Sequence, residues 1–118
     1  MLHTENHVTL QGRARAPTVR LSPGGPIFAS VDLEVDDLPR TAITVAGIGL
    51  EAAAIACTEK GSLLRVEGSL TVDPETSEVY VRATKASRLV ERGFSLVAVA
   101  PSRAELDRLA AVLTPPEH

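Results

Sequence analysis

The segment Thr58-Glu59-Lys60-Gly61-Ser62-Leu63-Leu64-Arg65-Val66-Glu67-Gly68-Ser69-Leu70 decides the fold, because a helix is predicted to stop in it and a strand to start. Ala52 to Cys57 is alanine-rich and holds no helix breaker, Lys60 suits a helix's last carbonyls, and Gly61 supplies a left-handed residue to end one. Downstream, Leu64, Val66, Leu70 and Val72 recur at every second position with Gly68 in the same series, while Arg65, Glu67, Ser69 and Thr71 take the opposite side. A glycine inside such a strand marks a bulge or a sharp bend of the kind that closes a small barrel.

Toward the N-terminus the alternation recurs. Val8, Leu10, Gly12 and Ala14 alternate with Thr9, Gln11, Arg13 and Arg15, and Ala16-Pro17 ends that strand. Ser22-Pro23-Gly24-Gly25-Pro26 is the strongest turn signal in the chain, since proline fixes φ and glycine permits positive φ. A second strand places Ile27, Ala29, Val31, Leu33 and Val35 on one face and Phe28, Ser30, Asp32 and Glu34 on the other. After a short link, a third strand from Arg40 to Ala46 turns Thr41, Ile43 and Val45 inward; Gly47 to Gly49 is read as a break, and Leu50 to Thr58 as a helix plugging the barrel end.

Toward the C-terminus, Asp73 to Ser77 is a polar turn, and a fifth strand points Val79, Val81 and Ala83 inward and Tyr80, Arg82 and Thr84 outward. Three strands, a helix and two strands is the order of the OB-fold, a five-stranded Greek-key barrel, so residues 1–90 are expected to form one such β-dominated domain. Residues 91–118 read as a strand and helix extension without a core of its own. Phe94 to Ala100 is an almost uninterrupted apolar run, Ser102 and Glu105 form a capping-box pair, and Leu106, Leu109, Ala110 and Leu113 give a helical stripe before Pro115-Pro116. A run such as Phe94 to Val99 must be covered, either on the barrel edge or, as preferred here, by pairing with another subunit.

A chain of 118 residues supports one core. It is 44% hydrophobic but only 3% aromatic, so that core must be aliphatic, which favours β-structure. The net charge of −3 provides no global basic field, so nucleic-acid binding would rest on a local patch. Cys57 stands alone, which excludes an internal disulfide and a cysteine-cluster metal site, and reads as a small core residue of the helix. His3, His7 and His118 accompany no nucleophile or metal-ligand spacing, and Gly47-Ile48-Gly49 lacks the third glycine and the lysine of a phosphate cradle. No enzyme, metal or cofactor is therefore expected. No run reaches the roughly 18 apolar residues of a membrane span and no signal-like start is present, so a cytoplasmic protein away from membranes is expected.

Three separated segments carry a family likeness. Asn6-His7-Val8-Thr9-Leu10-Gln11-Gly12-Arg13, then Ala16-Pro17-Thr18-Val19-Arg20 with Ser22-Pro23-Gly24-Gly25, then Lys60-Gly61-Ser62 leading to Val66-Glu67-Gly68-Ser69-Leu70, resemble the bacterial single-stranded DNA-binding protein (SSB) family over about residues 6 to 90. Arg15-Ala16-Pro17 followed by Ser22-Pro23-Gly24-Gly25-Pro26, with short loops, also resembles the PriB-like primosomal relatives, which are dimers with one OB domain per chain. The resemblance implies binding of single-stranded DNA without strong sequence preference in replication, restart or repair, as a homodimer or homotetramer, with a replication or repair protein as a further partner. Residues suited to that role are Arg13, Arg15, Arg20, Arg40, Arg65, Arg82 and Lys85 for phosphates and Tyr80 for stacking. Phe28 is the other outward ring, but Asp32, Glu34, Asp36 and Asp37 follow it. The chain departs from the family in having no Trp, Ala46 where an aromatic is usual, and a shortened loop between strands two and three. These departures support an alternative: a divergent paralogue that has lost DNA binding and serves as a protein-interaction or oligomerisation module.

Overall fold

Period-two alternation becomes structure in a closed circuit of strands. The computed structural model describes residues 6–21, 27–35 and 41–113. In order these form β1 (Val8–Ala14), β2 (Thr18–Leu21), β3 (Ile27–Glu34), β4 (Ala42–Ile48), α1 (Leu50–Ala56), β5 (Leu63–Val72), β6 (Val79–Arg92), β7 (Ser95–Val99) and α2 (Arg103–Leu113). The barrel runs β1-β5-β6-β4-β3 and closes through β3 onto β1. Its pairs are antiparallel except β4 with β6, which run parallel at Val45↔Val81 and Ala46↔Arg82. Outside the circuit, β2 pairs with β3 and β7 with β6. This is the expected OB-fold with its helix between the third and fourth barrel strands.

The inward series meet inside the barrel. Leu33, Val45, Ile55, Leu64, Val66 and Val81 are fully buried, with Ala14, Ala29, Val31 and Ala52 around them. Each large aliphatic side chain so buried contributes about 1.5–3 kcal/mol, which lets a core without aromatic rings hold the fold. Gly68 lies at the bend as expected. Gly68 pairs with Ala83 but Glu67 with Lys85, so Thr84 on β6 is the extra residue of the bulge, and a Cβ on Gly68 would collide with the Arg82 carbonyl.

Several expectations are corrected. The helix ends at Ala56 with Cys57 as its C-cap, and Thr58 Oγ1 donates to the Ala54 carbonyl at 2.8 Å. Gly61 does take positive φ, +90°, but in the turn before β5, where its N–H donates to the Ala14 carbonyl at 2.7 Å. Strand β4 continues through Gly47 to Ile48 instead of breaking. Gly47 serves packing: a Cβ there would lie 3.0 Å from Glu51 Cβ and Ile55 Cδ1 of α1. Leu70, Val72 and Val79, expected inward, are 50%, 58% and 59% exposed because the β5–β6 hairpin runs past the barrel rim. Strand β2 adds a sixth pairing partner to the five expected strands at the β3 edge, outside the barrel circuit.

The C-terminal segment folds back on its own chain. Strand β7 pairs with β6 from Arg88↔Val99 to Arg92↔Ser95 across the two-residue turn Gly93-Phe94, with Gly93 at φ +65°. The pairing of Phe94 to Val99 preferred from sequence, with another subunit, is therefore corrected for one edge of β7: β6 of the same chain occupies it. The capping box is present, with the Glu105 N–H donating to Ser102 Oγ at 3.1 Å and the Ser102 N–H to Glu105 Oε1 at 3.2 Å. The turn at 22–26, the link at 36–39 and Arg40 lie outside the described residues.

Candidate nucleic-acid interface

Register alone assembles a mixed face on one side of the barrel. In the β2–β3 hairpin Arg20 lies opposite Phe28 and Thr18 opposite Ser30. Across β3–β4, Phe28 meets Ile48, Ser30 meets Ala46 and Asp32 meets Thr44; Ala46 in turn meets Arg82 on β6. Residues directly opposite share a face of the sheet, so Arg20, Phe28, Ala46 and Arg82 converge although they come from four strands.

The result is two adjoining hollows. Arg20, Phe28, Thr44, Ala46 and Tyr80 line one of about 310 Å³, with Asp73, Glu78 and Val79 of the β5–β6 hairpin on its far side. Arg82 and Ser69 line the next, of about 420 Å³, beside Ile48, Glu51 and Thr84. Phe28 and Tyr80, the two outward rings of the sequence, thus sit around one concavity, each half-buried. Ala46, where a larger side chain would fill the space, leaves it open.

The remaining basic residues go elsewhere. Arg65 and Lys85 line a separate hollow of about 390 Å³ with Glu67, Ser87, Leu89, Leu96 and Ala98, and Lys85 Nζ stands 3.9 Å from the Glu67 carboxylate. Gln11 and Arg13 of β1 lie opposite Arg65 and Leu63 of the same outer sheet. Arg13 Nη1 donates to the Gly61 carbonyl at 3.0 Å, so part of its hydrogen-bonding capacity serves the turn. Arg15 Nε donates to Glu34 Oε1 at 3.0 Å, which matches its charge within the chain. The predicted cations therefore divide between two faces. Arg20 and Arg82, with Tyr80, share the aromatic face; Arg13, Arg65 and Lys85 share the other.

The sequence reading missed Asp73 and Glu78, which place carboxylates beside the rings. Their positions flanking the turn, Asp73 directly after β5 and Glu78 directly before β6, were the available signal. Asp32, on the β3 face, accepts from Thr44 Oγ1 at 2.7 Å.

The strongest charge pair is remote from both faces. Arg88 Nη1 and Nη2 donate to Glu105 Oε2 and Oε1 at 2.7 and 2.9 Å, and Nη1 also reaches the Cys57 carbonyl at 3.4 Å. The hydrogen bond from Arg88, and next the one from the Ser102 N–H, hold the Glu105 carboxyl at about 2. Burial, with the Glu105 charge, pushes the Cys57 thiol up, which makes it a poor nucleophile. No helix among the described residues is long and apolar enough to cross a membrane.

No protein-family model matches the sequence, and no curated protein does. Solved structures match. The wild-type single-stranded DNA binding protein from Thermus aquaticus superposes with a TM-score of 0.66 at 27% identity, covering 79% of this chain and 44% of that one. A deletion mutant of the same protein gives 0.68 at 27% identity, covering 75% and 42%. The chain therefore spans less than half the length of these relatives. The dimeric N-terminal domain of PriB from Thermoanaerobacter tencongensis gives 0.59 at 22% identity, covering 73% of this chain and 98% of that one, a likeness of fold. Barrel circuit, helix position and these neighbours agree: the chain has the OB-fold and is similar in structure to the Thermus single-stranded DNA binding protein, with a likeness of fold to PriB.

Proposed function

We propose that the protein binds single-stranded DNA, without strong sequence preference, along the two hollows lined by Arg20, Phe28, Tyr80 and Arg82. The observation that carries this reading is the convergence of one cation and two rings from three strands on one concavity, with a second cation in the next. Such a groove offers bases a stacking surface and phosphates a charge, and it sits on the strand face and hairpin that OB-folds use for oligonucleotides. The likeness to a Thermus protein named for single-stranded DNA binding supports the same ligand. The role that follows is an accessory of replication, restart or repair in the cytoplasm, acting by binding and not by catalysis. Self-association as a homodimer or homotetramer, and a replication or repair protein as partner, belong to the same proposal.

Fluorescence-anisotropy titration of labelled oligo-dT at low and moderate salt tests it. Tyr80→Ala should weaken binding roughly 5- to 150-fold, the equivalent of about 1–3 kcal/mol for one stacked base. Arg20→Ala and Arg82→Ala should each lower the slope of log K against log salt by about 0.7, as expected for one lost phosphate contact. Arg65→Ala and Lys85→Ala should change little; if they alone weaken binding, the opposite face is the interface. Absence of binding at low salt would favour the interaction-module reading, which Asp73 and Glu78 beside the rings support.

A further inference from the structure

The geometry points to β7 as a self-pairing edge: two copies of this chain join antiparallel through β7, with Val97 of each on the two-fold axis. This deepens the self-association proposed above and does not depend on DNA binding.

Hydrogen-bond parity comes first. In a two-residue hairpin the flanking residues, here Arg92 and Ser95, exchange both ladder bonds, so Ser95, Val97 and Val99 spend their main-chain groups on β6. The N–H and C=O of Leu96 and Ala98 then point to the outer edge, and among the described residues no strand pairs with it. The complement of such an edge is another strand. None of the usual protection is present: Ser95-Leu96-Val97-Ala98-Val99 has no charge and no proline, and its ladder with β6 has no register shift. Leu96 and Val97 are 44% and 37% exposed, and Phe94 is fully exposed.

Side-chain size then selects a copy of the same chain as the occupant. On the even-numbered face of β7 the bulky Leu96 comes first and the small Ala98 follows. An antiparallel copy centred on Val97 sets Leu96 opposite Ala98 of the partner subunit and Ala98 opposite the partner's Leu96, large against small on both sides of the axis. Centring on Leu96 would instead oppose the two leucines. The odd-numbered face gains a stripe running Val90, Val97 and then the same two residues of the partner, since Val90 lies opposite Val97 within each chain. No like charges meet in this register. Leu96 and Ala98 of the partner also form a hydrogen-bonded pair, which matches the parity of the free groups.

Cross-linking tests the register. Val97→Cys in a Cys57→Ala background would place two thiols in a non-hydrogen-bonded pair, with Cα atoms about 4.5 Å apart, inside the range a disulfide spans. Mild oxidation should give a covalent dimer, while Glu91→Cys in the same background, on β6 away from the axis, should not. Val97→Lys, which sets two ammonium groups together on an exposed strand, should shift the light-scattering mass toward the monomer. A protein that stays dimeric by light scattering while Val97→Cys fails to cross-link would overturn the β7 interface and leave self-association standing. A monomer at all concentrations would overturn both, and oligo-dT anisotropy on the same samples reports on DNA binding separately.

Discussion

Leu33, Val45, Leu64, Val66 and Val81 of the barrel expose no surface, whereas Leu96 and Val97 of β7 stay 44% and 37% exposed, although both regions are runs of aliphatic residues. The difference lies in connectivity. Each barrel strand has a neighbour on both sides and turns one face inward, so apolar side chains become core. Among the described residues strand β7 has one neighbour, and α2 touches the rest of the molecule chiefly near α1 and through Glu105. That one carboxylate has two tasks: it takes the Ser102 N–H to cap α2 and the Arg88 guanidinium to dock it. The barrel is held by shape and apolar burial, the C-terminal segment by a ladder edge and a charge fork.

Variants that act on one region alone test this contrast. Gly68→Ala should have the largest effect, because its methyl meets backbone at the Arg82 carbonyl, not a side-chain tip that can move. A loss of roughly 3 kcal/mol in denaturant unfolding is expected, the upper end for overpacking. Arg88→Ala should loosen α2 by about 1.5–3 kcal/mol, the value of hydrogen bonds to a charged group, and leave the barrel intact. Amide exchange should show α2 protection falling roughly 10- to 150-fold while β5 is unchanged; equal loss in both would refute the separation of the two regions.

Acid should reproduce that effect by degrees. Glu105 has its carboxyl at about 2 when docked, below the usual 4.5, so its contribution is complete above about pH 4.5 and is lost as pH falls toward 2. Exchange protection of α2 should decline across that window, and in Arg88→Ala the decline should be much shallower. Ser102→Ala should have the smallest effect, about 1 kcal/mol on α2, since the Arg88 fork remains.

Much of the barrel was legible because burial on one face writes itself as period two. Strand β2 was not: Thr18-Val19-Arg20-Leu21 is too short to show alternation and stands between Pro17 and Pro23. Gly61 and Gly47 show a second limit. Sequence marks Gly61 as suited to positive φ but does not say whether a helix end or a turn uses it, and it does not reveal that α1 lies over Gly47. The candidate site was legible residue by residue and not as a surface. Alternation identified Arg65, Tyr80 and Arg82 as outward, but Lys85 falls in the inward series of Val79, Val81 and Ala83 and faces out only because Thr84 is the extra residue of the bulge at Gly68, which also bends the sheet so that its outer side serves two faces. The Arg88–Glu105 pair joins residues with no periodic relation, and nothing in the sequence signals it.

The long β5–β6 ladder also bears on the order in which the chain acquires structure. Val72 pairs with Val79 across only residues 73–78, whereas Val8 reaches Gly68 across residues 9–67. Loop-closure entropy makes the first ladder the cheaper to start, and it already contains the bend that later admits the other strands. Folding should therefore nucleate on this hairpin, with β1 closing the barrel last. In stopped-flow chevrons, Val66→Ala should slow refolding, while Leu10→Ala should mainly speed unfolding.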